Sequence, residues 1–114
     1  MQNLIPEQGD IIYTNLSPQA GHEQNGRRPV IVLSPFDYNQ KAGLCVVAPI
    51  TTKESTYPFK VPIDINGRDS FIISDQFKSI DYKARGADFV IKSPESVLQK
   101  VLGLVHLLTP MPKN

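Results

Sequence analysis

The chain has 114 residues, 40% hydrophobic and 20% charged, so its length and composition fit one soluble domain, residues 1–114, with a buried core. The formal net charge of +1 excludes a bulk polyanion binder, and any nucleic-acid site must come from local clustering of the 12 lysines and arginines. Because no apolar run reaches the ~18 residues of a membrane span and the N-terminus lacks a signal-peptide pattern, we expect a cytoplasmic protein.

The first half of the chain predicts short β-strands. Residues 10–16 form the first, and residues 30–33 form a second whose continuous apolar side chains indicate that both faces are covered. Residues 35–43 are a polar connection with room for one helical turn. A third apolar strand follows at residues 44–50. It contains the only cysteine, Cys45, which we interpret as a small buried hydrophobic residue.

The second half begins with a strand of alternating pattern at residues 59–64, where one face is polar. Pro62 cannot donate a ladder hydrogen bond, so this strand is expected at a sheet edge. Asn66–Gly67 predicts a hairpin, with residues 71–75 as the return strand. Two further short strands are predicted at residues 78–80 and 89–92.

The C-terminal segment changes to a helical period. Ser93 is expected to cap a helix that continues through Pro94 and Glu95, and Pro110 and Pro112 end it. Its apolar stripe is so wide that it needs burial on more than one side, against the sheet and a second subunit; the stripe is Val97, Val101, Val105 and Leu108. The expected architecture is a small, mostly antiparallel, barrel-like sheet with a C-terminal helix.

Charged side chains cluster in the polar stretch that precedes the second strand. His22 can exchange protons near neutral pH, Glu23 can orient it or act as a base, and Arg27 and Arg28 can bind phosphate. Pro29 stiffens the residue before it. The alternative is a solvated polar loop with weak ion pairs.

Three further segments carry candidate side chains. Thr51, Thr52 and Lys53 follow an apolar strand, where they could contact phosphate or serve ordinary turn chemistry. Asp75 could point into a cleft or accept backbone hydrogen bonds in a turn. The aromatic rings at 57 and 59 could stack on bases or pack in the core. Two histidines and one cysteine give no recognisable metal-ligand spacing.

Taken together, these segments resemble the MazF/PemK-type toxins of bacterial toxin–antitoxin pairs. The matching motifs cover residues 9–108 and occur in order: G-D-I-I-Y at 9–13, G-H-E-Q-N-G-R-R-P-V-I-V-L-S at 21–34, V-V-A-P-I-T-T at 46–52, Y-P-F at 57–59, and D-Q-F-K-S-I-D with K-A-R-G at 75–86.

The resemblance implies a homodimer of SH3-like β-barrels of the CcdB/PemK type, each with a C-terminal helix. It implies a metal-independent endoribonuclease, with no cofactor, that cuts single-stranded RNA at short sequences and so inhibits translation and growth. The ribose 2′-hydroxyl would attack the adjacent phosphate, leaving 2′,3′-cyclic phosphate and 5′-hydroxyl ends. A cognate antitoxin would restrain it through an acidic flexible tail.

Two other functions stay open at this point. One is a gyrase-inhibiting toxin on the same fold, and the other is a non-catalytic interaction module. The gyrase-inhibiting sibling family carries no counterpart of the Arg28–Pro29 and Thr51 pair, which favours the ribonuclease.

The resemblance also assigns roles to residues. The family's essential arginine before proline falls on Arg28, and its essential threonine falls on Thr51. In one branch a His takes part and an Asp is the proposed base, and these residues match His22 and Asp75. This chain has Ile73 where that branch has an arginine, two residues before the Asp. The expected RNA-binding residues are Glu23, Arg27, Thr52, Lys53, Tyr57, Phe59, Gln76, Lys78 and Arg85.

Overall fold

The computed structural model describes residues 4–17 and 26–113. These residues contain seven strands and four helical segments. The strands are β1 (Asp10–Asn15), β2 (Arg27–Val32), β3 (Cys45–Thr51), β4 (Lys60–Ile65), β5 (Arg68–Ile73), β6 (Lys78–Ile80) and β7 (Asp88–Lys92). The helices are α1 (Phe36–Ala42), α2 (Tyr82–Arg85) and α3 (Glu95–Leu108), with a one-turn 3-10 helix at Ser74–Gln76.

The strands form one curled antiparallel sheet. Its order is β4-β5-β3-β2-β1-β7, and β6 pairs with the beginning of β3. β3 connects two parts of the sheet. Its first residues pair with β2 and β6, and its last residues pair with β5. The expectation of a mainly β, barrel-like sheet followed by a C-terminal helix is confirmed.

Both faces of the central strands are buried, as the continuous apolar run in β2 predicted. Val30 and Val32 belong to one hydrophobic cluster and Ile31 belongs to another, which also contains Val101 of α3. Cys45 lies in the first of these clusters, and burial raises the pKa of its thiol to about 12. The interpretation of Cys45 as a buried hydrophobic residue is therefore confirmed.

The hairpin prediction is also confirmed. Asn66 and Gly67 both have positive φ, 52° and 87°, which is the conformation that favours an Asn–Gly pair in a two-residue turn. The Gly67 N–H donates to Oδ1 of Asp64 at 2.7 Å, which closes the turn between β4 and β5. β4, which contains Pro62, lies at one edge of the sheet.

Three local expectations were wrong. The single helical turn is a seven-residue helix, α1, which ends where Gly43 adopts the left-handed conformation, and its buried Asn39 donates to the Pro6 carbonyl at 2.8 Å. β5 ends at Ile73, so Asp75 lies in the 3-10 turn rather than at a strand end. Ser93 does not cap α3: Pro94 occupies that position, and Oγ of Ser93 is buried with no partner in the described part of the chain.

The apolar stripe of α3 is only partly covered. Val101 is fully buried, but Leu108 is 41% exposed, and the neighbouring Leu107 is 72% exposed. Among residues 4–17 and 26–113, no helix is long and apolar enough to cross a membrane.

Candidate active site

A cleft of about 580 Å³ opens where β2 begins and β3 ends. The two strands are antiparallel with Val30 opposite Pro49, so the first residues of β2 lie beside the last residues of β3. Arg28 and Thr51, which are 23 positions apart in sequence, both line this cleft. The sheet register thus brings together the two residues that the resemblance singles out.

Thr51 is held with its hydroxyl group oriented. The residue is only 9% exposed, and its Oγ1 accepts a hydrogen bond from the Lys53 backbone N–H at 3.1 Å. A hydroxyl group has one proton to donate as well as two lone pairs. Because one lone pair binds the Lys53 N–H, the Thr51 proton can donate to an oxygen atom bound in the cleft.

Arg28 lines the same cleft from β2 and is half-buried. Its backbone is fixed in β2, opposite Thr14 of β1, and it is followed by Pro29, whose ring restricts both residues. The guanidinium group is permanently charged and can bind two phosphate oxygens at once. Arg28 therefore supplies a well-positioned cation at the rim of the sheet.

Arg27 also lines the cleft, and its guanidinium group has two contacts within the described part of the protein. Its Nη2 forms an ion pair with Oδ2 of Asp88 in β7, and its guanidinium carbon lies 5.4 Å from the centre of the Tyr13 ring. Both members of the ion pair are more than half exposed, so water screens this attraction. Arg27 can contact a bound phosphate while Asp88 and Tyr13 hold it in place.

The β4–β5 hairpin forms the wall of the cleft that sequence reasoning missed. Asn66, Arg68 and Ser70 line the cleft from this hairpin. Arg68 adds a third arginine to the site. The available signal was a basic residue directly after the Asn66–Gly67 turn, but nothing in the local pattern shows that the hairpin reaches the ends of β2 and β3.

A second cavity of about 580 Å³ adjoins the cleft. Thr52 and Ser70 line both, and the acidic residues Glu54, Asp64 and Asp69 also line the second cavity. The three arginines and these three acidic residues thus line different, adjoining cavities. A phosphate group would be attracted to the first cavity and repelled from the second.

Arg85, a predicted RNA-binding residue, contacts the protein backbone. Its Nη1 donates to the carbonyl oxygens of Asn15 and Ser17 at 3.0 and 2.6 Å. The Gly26 N–H donates to Oγ of Ser17, and the Leu16 N–H donates to the Gly26 carbonyl. Arg85 therefore fixes the end of β1 close to the start of β2.

The other predicted site residues lie around the cleft or apart from it. Thr52 lines the cleft, and Lys53 is exposed beside it. Tyr57, Phe59, Asp75, Gln76 and Lys78 are not among the described residues that line it. His22 and Glu23 lie outside the described residues. Within the described ranges, no three His, Cys, Asp or Glu side chains are grouped to hold a metal ion.

Comparison with known proteins identifies close relatives. Residues 7–109 match the family model of the PemK-like, MazF-like toxins of type II toxin–antitoxin systems. The endoribonuclease toxin MazF of Escherichia coli K12 is 47% identical over 87 residues, 76% of this chain and 78% of that protein.

Two solved structures from Deinococcus radiodurans are similar as well. A crystal structure of MazF superposes with a TM-score of 0.89 at 37% identity, covering 96% of this chain and all of that one. A chain of a MazE–MazF complex superposes with a TM-score of 0.83, also at 37% identity and with the same coverage.

Proposed function

The chain belongs to the PemK/MazF family of type II toxin–antitoxin toxins and is an endoribonuclease toxin of that family, and we propose that it cuts single-stranded RNA in the Arg28–Thr51 cleft. The observation that carries this assignment is the meeting of Arg28 and Thr51 in one cleft, from the ends of two neighbouring strands. Three arginines line the cleft, which suits a substrate with a phosphate backbone.

In the proposed reaction, the nucleophile belongs to the RNA. The 2′-hydroxyl oxygen attacks the adjacent phosphorus atom, the bond from phosphorus to the 5′-oxygen breaks, and the 2′-hydroxyl proton is removed as the 5′-oxygen gains one. The products are a 2′,3′-cyclic phosphate and a 5′-hydroxyl. No water molecule is consumed, so the protein needs to position the RNA, move protons and stabilise the charge that develops on phosphorus.

Arg28 and Thr51 fit the last of these tasks. The guanidinium group of Arg28 compensates the negative charge on the non-bridging oxygens, and the Thr51 hydroxyl donates to one of them. Donors fixed in advance toward a developing charge are worth ~3 kcal/mol each in the transition state. Arg68 and Arg27 are placed to bind neighbouring phosphates, and the reaction needs no metal ion or other cofactor.

We further propose a homodimer restrained by a cognate antitoxin in the cytoplasm. The MazF relative from Deinococcus radiodurans has been crystallised with MazE, which supports an antitoxin partner for this chain. Leu107 near the end of α3 and Met111 after it are 72% and 87% exposed, and exposed apolar side chains of this size suit a second subunit. An acidic antitoxin segment would complement the three arginines of the cleft.

The test is RNA cleavage by the purified protein in EDTA. We expect the parent to cut a long single-stranded RNA, and Arg28→Ala to lower the rate at least ~100-fold. Arg28→Lys should recover only part of the rate, because an ammonium group lacks the paired donors of guanidinium. Lys41→Ala, which removes an exposed cation on α1 away from the cleft, is the matched control and should cut at the parent's rate.

EDTA-sensitive cleavage would contradict the metal-independent mechanism. Arg28→Ala as active as Lys41→Ala would contradict the assignment of the cleft.

A further inference from the structure

Asp75, a candidate base from the sequence, lies on the 3-10 turn and outside the cleft of Arg28 and Thr51. Its two carboxylate oxygens have different surroundings. Oδ2 accepts a hydrogen bond from the Tyr57 phenol, and Oδ1 is buried with no hydrogen-bond partner among residues 4–17 and 26–113. A general base must reach the proton that it removes. The surroundings of Asp75 suit contact with Tyr57 rather than with RNA in the cleft.

Tyr57 belongs to the connection between β3 and β4, residues 52–59. This connection begins directly after Thr51, and its first residue, Thr52, lines the cleft. The connection has no helix or strand of its own, so its position depends on individual contacts. Contacts that fix the far end of this connection therefore also restrain the residues that lie beside Thr51.

Two of the contacts among the described residues attach the far end of the connection to the 3-10 turn. The Ser74 N–H donates to the Phe59 carbonyl at 3.1 Å, and the Tyr57 phenol donates to Asp75. The Tyr57 ring packs edge-on against Phe59, with 6.1 Å between ring centres. The turn thus holds the connection through one backbone bond and one side-chain bond.

The acceptor of the side-chain bond is a carboxylate. A hydrogen bond to an ionised acceptor is in general stronger than one between neutral groups. The hydrogen bond to Asp75 raises the pKa of the Tyr57 phenol, because it favours the protonated, donating form. Because Oδ1 is buried with no hydrogen-bond partner among the described residues, the Tyr57 phenol is the described group that donates a hydrogen bond to this carboxylate.

We propose that Asp75 is a positioning residue, which holds Tyr57 and through it keeps residues 52–59 in place beside Thr51. The inference rests on the proposed function, because it concerns the same cleft. In this role Asp75 needs an oxygen atom that accepts the hydrogen bond from Tyr57. It does not need to take up a proton during the reaction.

The test is a set of four variants assayed for RNA cleavage. We expect Tyr57→Phe and Asp75→Ala each to lower kcat/KM by ~10-fold to ~100-fold, as displacement of a positioned group does. The double variant Tyr57→Phe/Asp75→Ala should be no worse than the more impaired single variant, because both remove the same bond. Asp75→Asn keeps an acceptor oxygen and should stay within ~3-fold of the parent.

A base role for Asp75 gives the opposite pattern. Asp75→Asn would then be as inactive as Asp75→Ala, and Tyr57→Phe would cut at the parent's rate. That result overturns the inference, as does a double variant whose loss is the product of the two single losses. Tyr38→Phe, which changes an exposed phenol on α1, is the matched control and should be fully active.

A second measurement needs no cleavage at all. The chain has four tyrosines and no tryptophan, so the ultraviolet absorbance of tyrosinate reports their titration. The difference in absorbance between the parent and Tyr57→Phe isolates the titration of Tyr57. We expect the pKa of Tyr57 to lie above the ordinary tyrosine value of ~10 in the parent and near that value in Asp75→Ala. An ordinary value in the parent overturns the inference even if the protein cuts RNA.

The two failures are therefore distinguishable. If the parent leaves RNA intact under every condition, the proposed function is wrong, and the titration still decides whether Asp75 holds Tyr57.

Discussion

The hydroxyl group of Thr51 provides a sharp prediction, because its structural and catalytic contributions differ in size. Thr51→Val keeps the shape of the side chain and replaces the hydroxyl with a methyl group. In the folded protein the hydroxyl accepts one bond, from the Lys53 N–H at 3.1 Å. Lys53 is exposed, so water can satisfy its N–H after the change.

The expected magnitudes follow from these contacts. Loss of one partly exposed hydrogen bond lowers the free energy of unfolding by ~1 kcal/mol or less, and the Tm of a domain of this size by ~4 °C at most. Loss of a donor to the phosphorane lowers the cleavage rate by ~100-fold to ~1000-fold. The rate should therefore collapse while the protein remains folded at the assay temperature.

The assay combines cleavage of a defined RNA with thermal unfolding of the same preparation. Thr51→Ser restores the hydroxyl without the methyl group, and it should recover most of the lost rate. Our reasoning would be refuted if Thr51→Val cut RNA within ~3-fold of the parent, since a transition-state donor is worth far more. It would also be refuted if Thr51→Ser were as inactive as Thr51→Val.

Three further predictions concern the cleft and the core. Arg68→Ala should weaken RNA binding and reduce the salt dependence of the binding constant by about one phosphate contact. The measurement is RNA binding at several salt concentrations, and Arg68→Lys should keep the salt dependence of the parent. Tyr82→Phe removes the phenol that donates to the Asn39 carbonyl at 2.8 Å, and should lower the free energy of unfolding by ~1 kcal/mol in denaturant titrations. Burial raises the pKa of Cys45 to about 12, so the folded state keeps a proton that the unfolded chain loses above ~8.5. Stability should fall between about pH 8 and about pH 10 by ~2 kcal/mol more in the parent than in Cys45→Ala, and equal slopes would contradict the buried thiol.

Much of the fold could be predicted because its signals are local. The Asn66–Gly67 pair fixes a hairpin through backbone conformations that few other residues adopt. Pro62 assigns β4 to an edge because of one missing N–H. The apolar run that begins at Val30 indicates a strand covered on both faces. Each of these inferences depends on neighbours in sequence, and each is confirmed.

The features that could not be predicted depend on contacts between distant segments. Asn39 of α1 bonds to Pro6, 33 positions away. Tyr57 reaches Asp75 across 18 positions. Arg68 lines the cleft because β5 pairs with the end of β3. No local pattern in the sequence predicts these contacts.

The candidate site also contains residues that could be predicted from the sequence and one whose role could not. Arg28 and Thr51 were found through motifs that flank them, and the structure brings both to one cleft. The role of Asp75 could not be settled by its motif, since the motif does not show which side chain faces the carboxylate.

The most direct measurement of the central claim is the chemistry of the cut ends. The parent would be incubated with a long single-stranded RNA in EDTA, and the cleavage positions and end groups would be mapped. A short RNA that spans one mapped position would then be made with a single 2′-deoxy nucleotide on the 5′ side of the scissile phosphate. We predict 2′,3′-cyclic phosphate and 5′-hydroxyl ends, with no cleavage of the deoxy-substituted RNA at that position. Ends carrying 3′-hydroxyl and 5′-phosphate groups, or normal cleavage of the substituted RNA, would contradict attack by the 2′-hydroxyl.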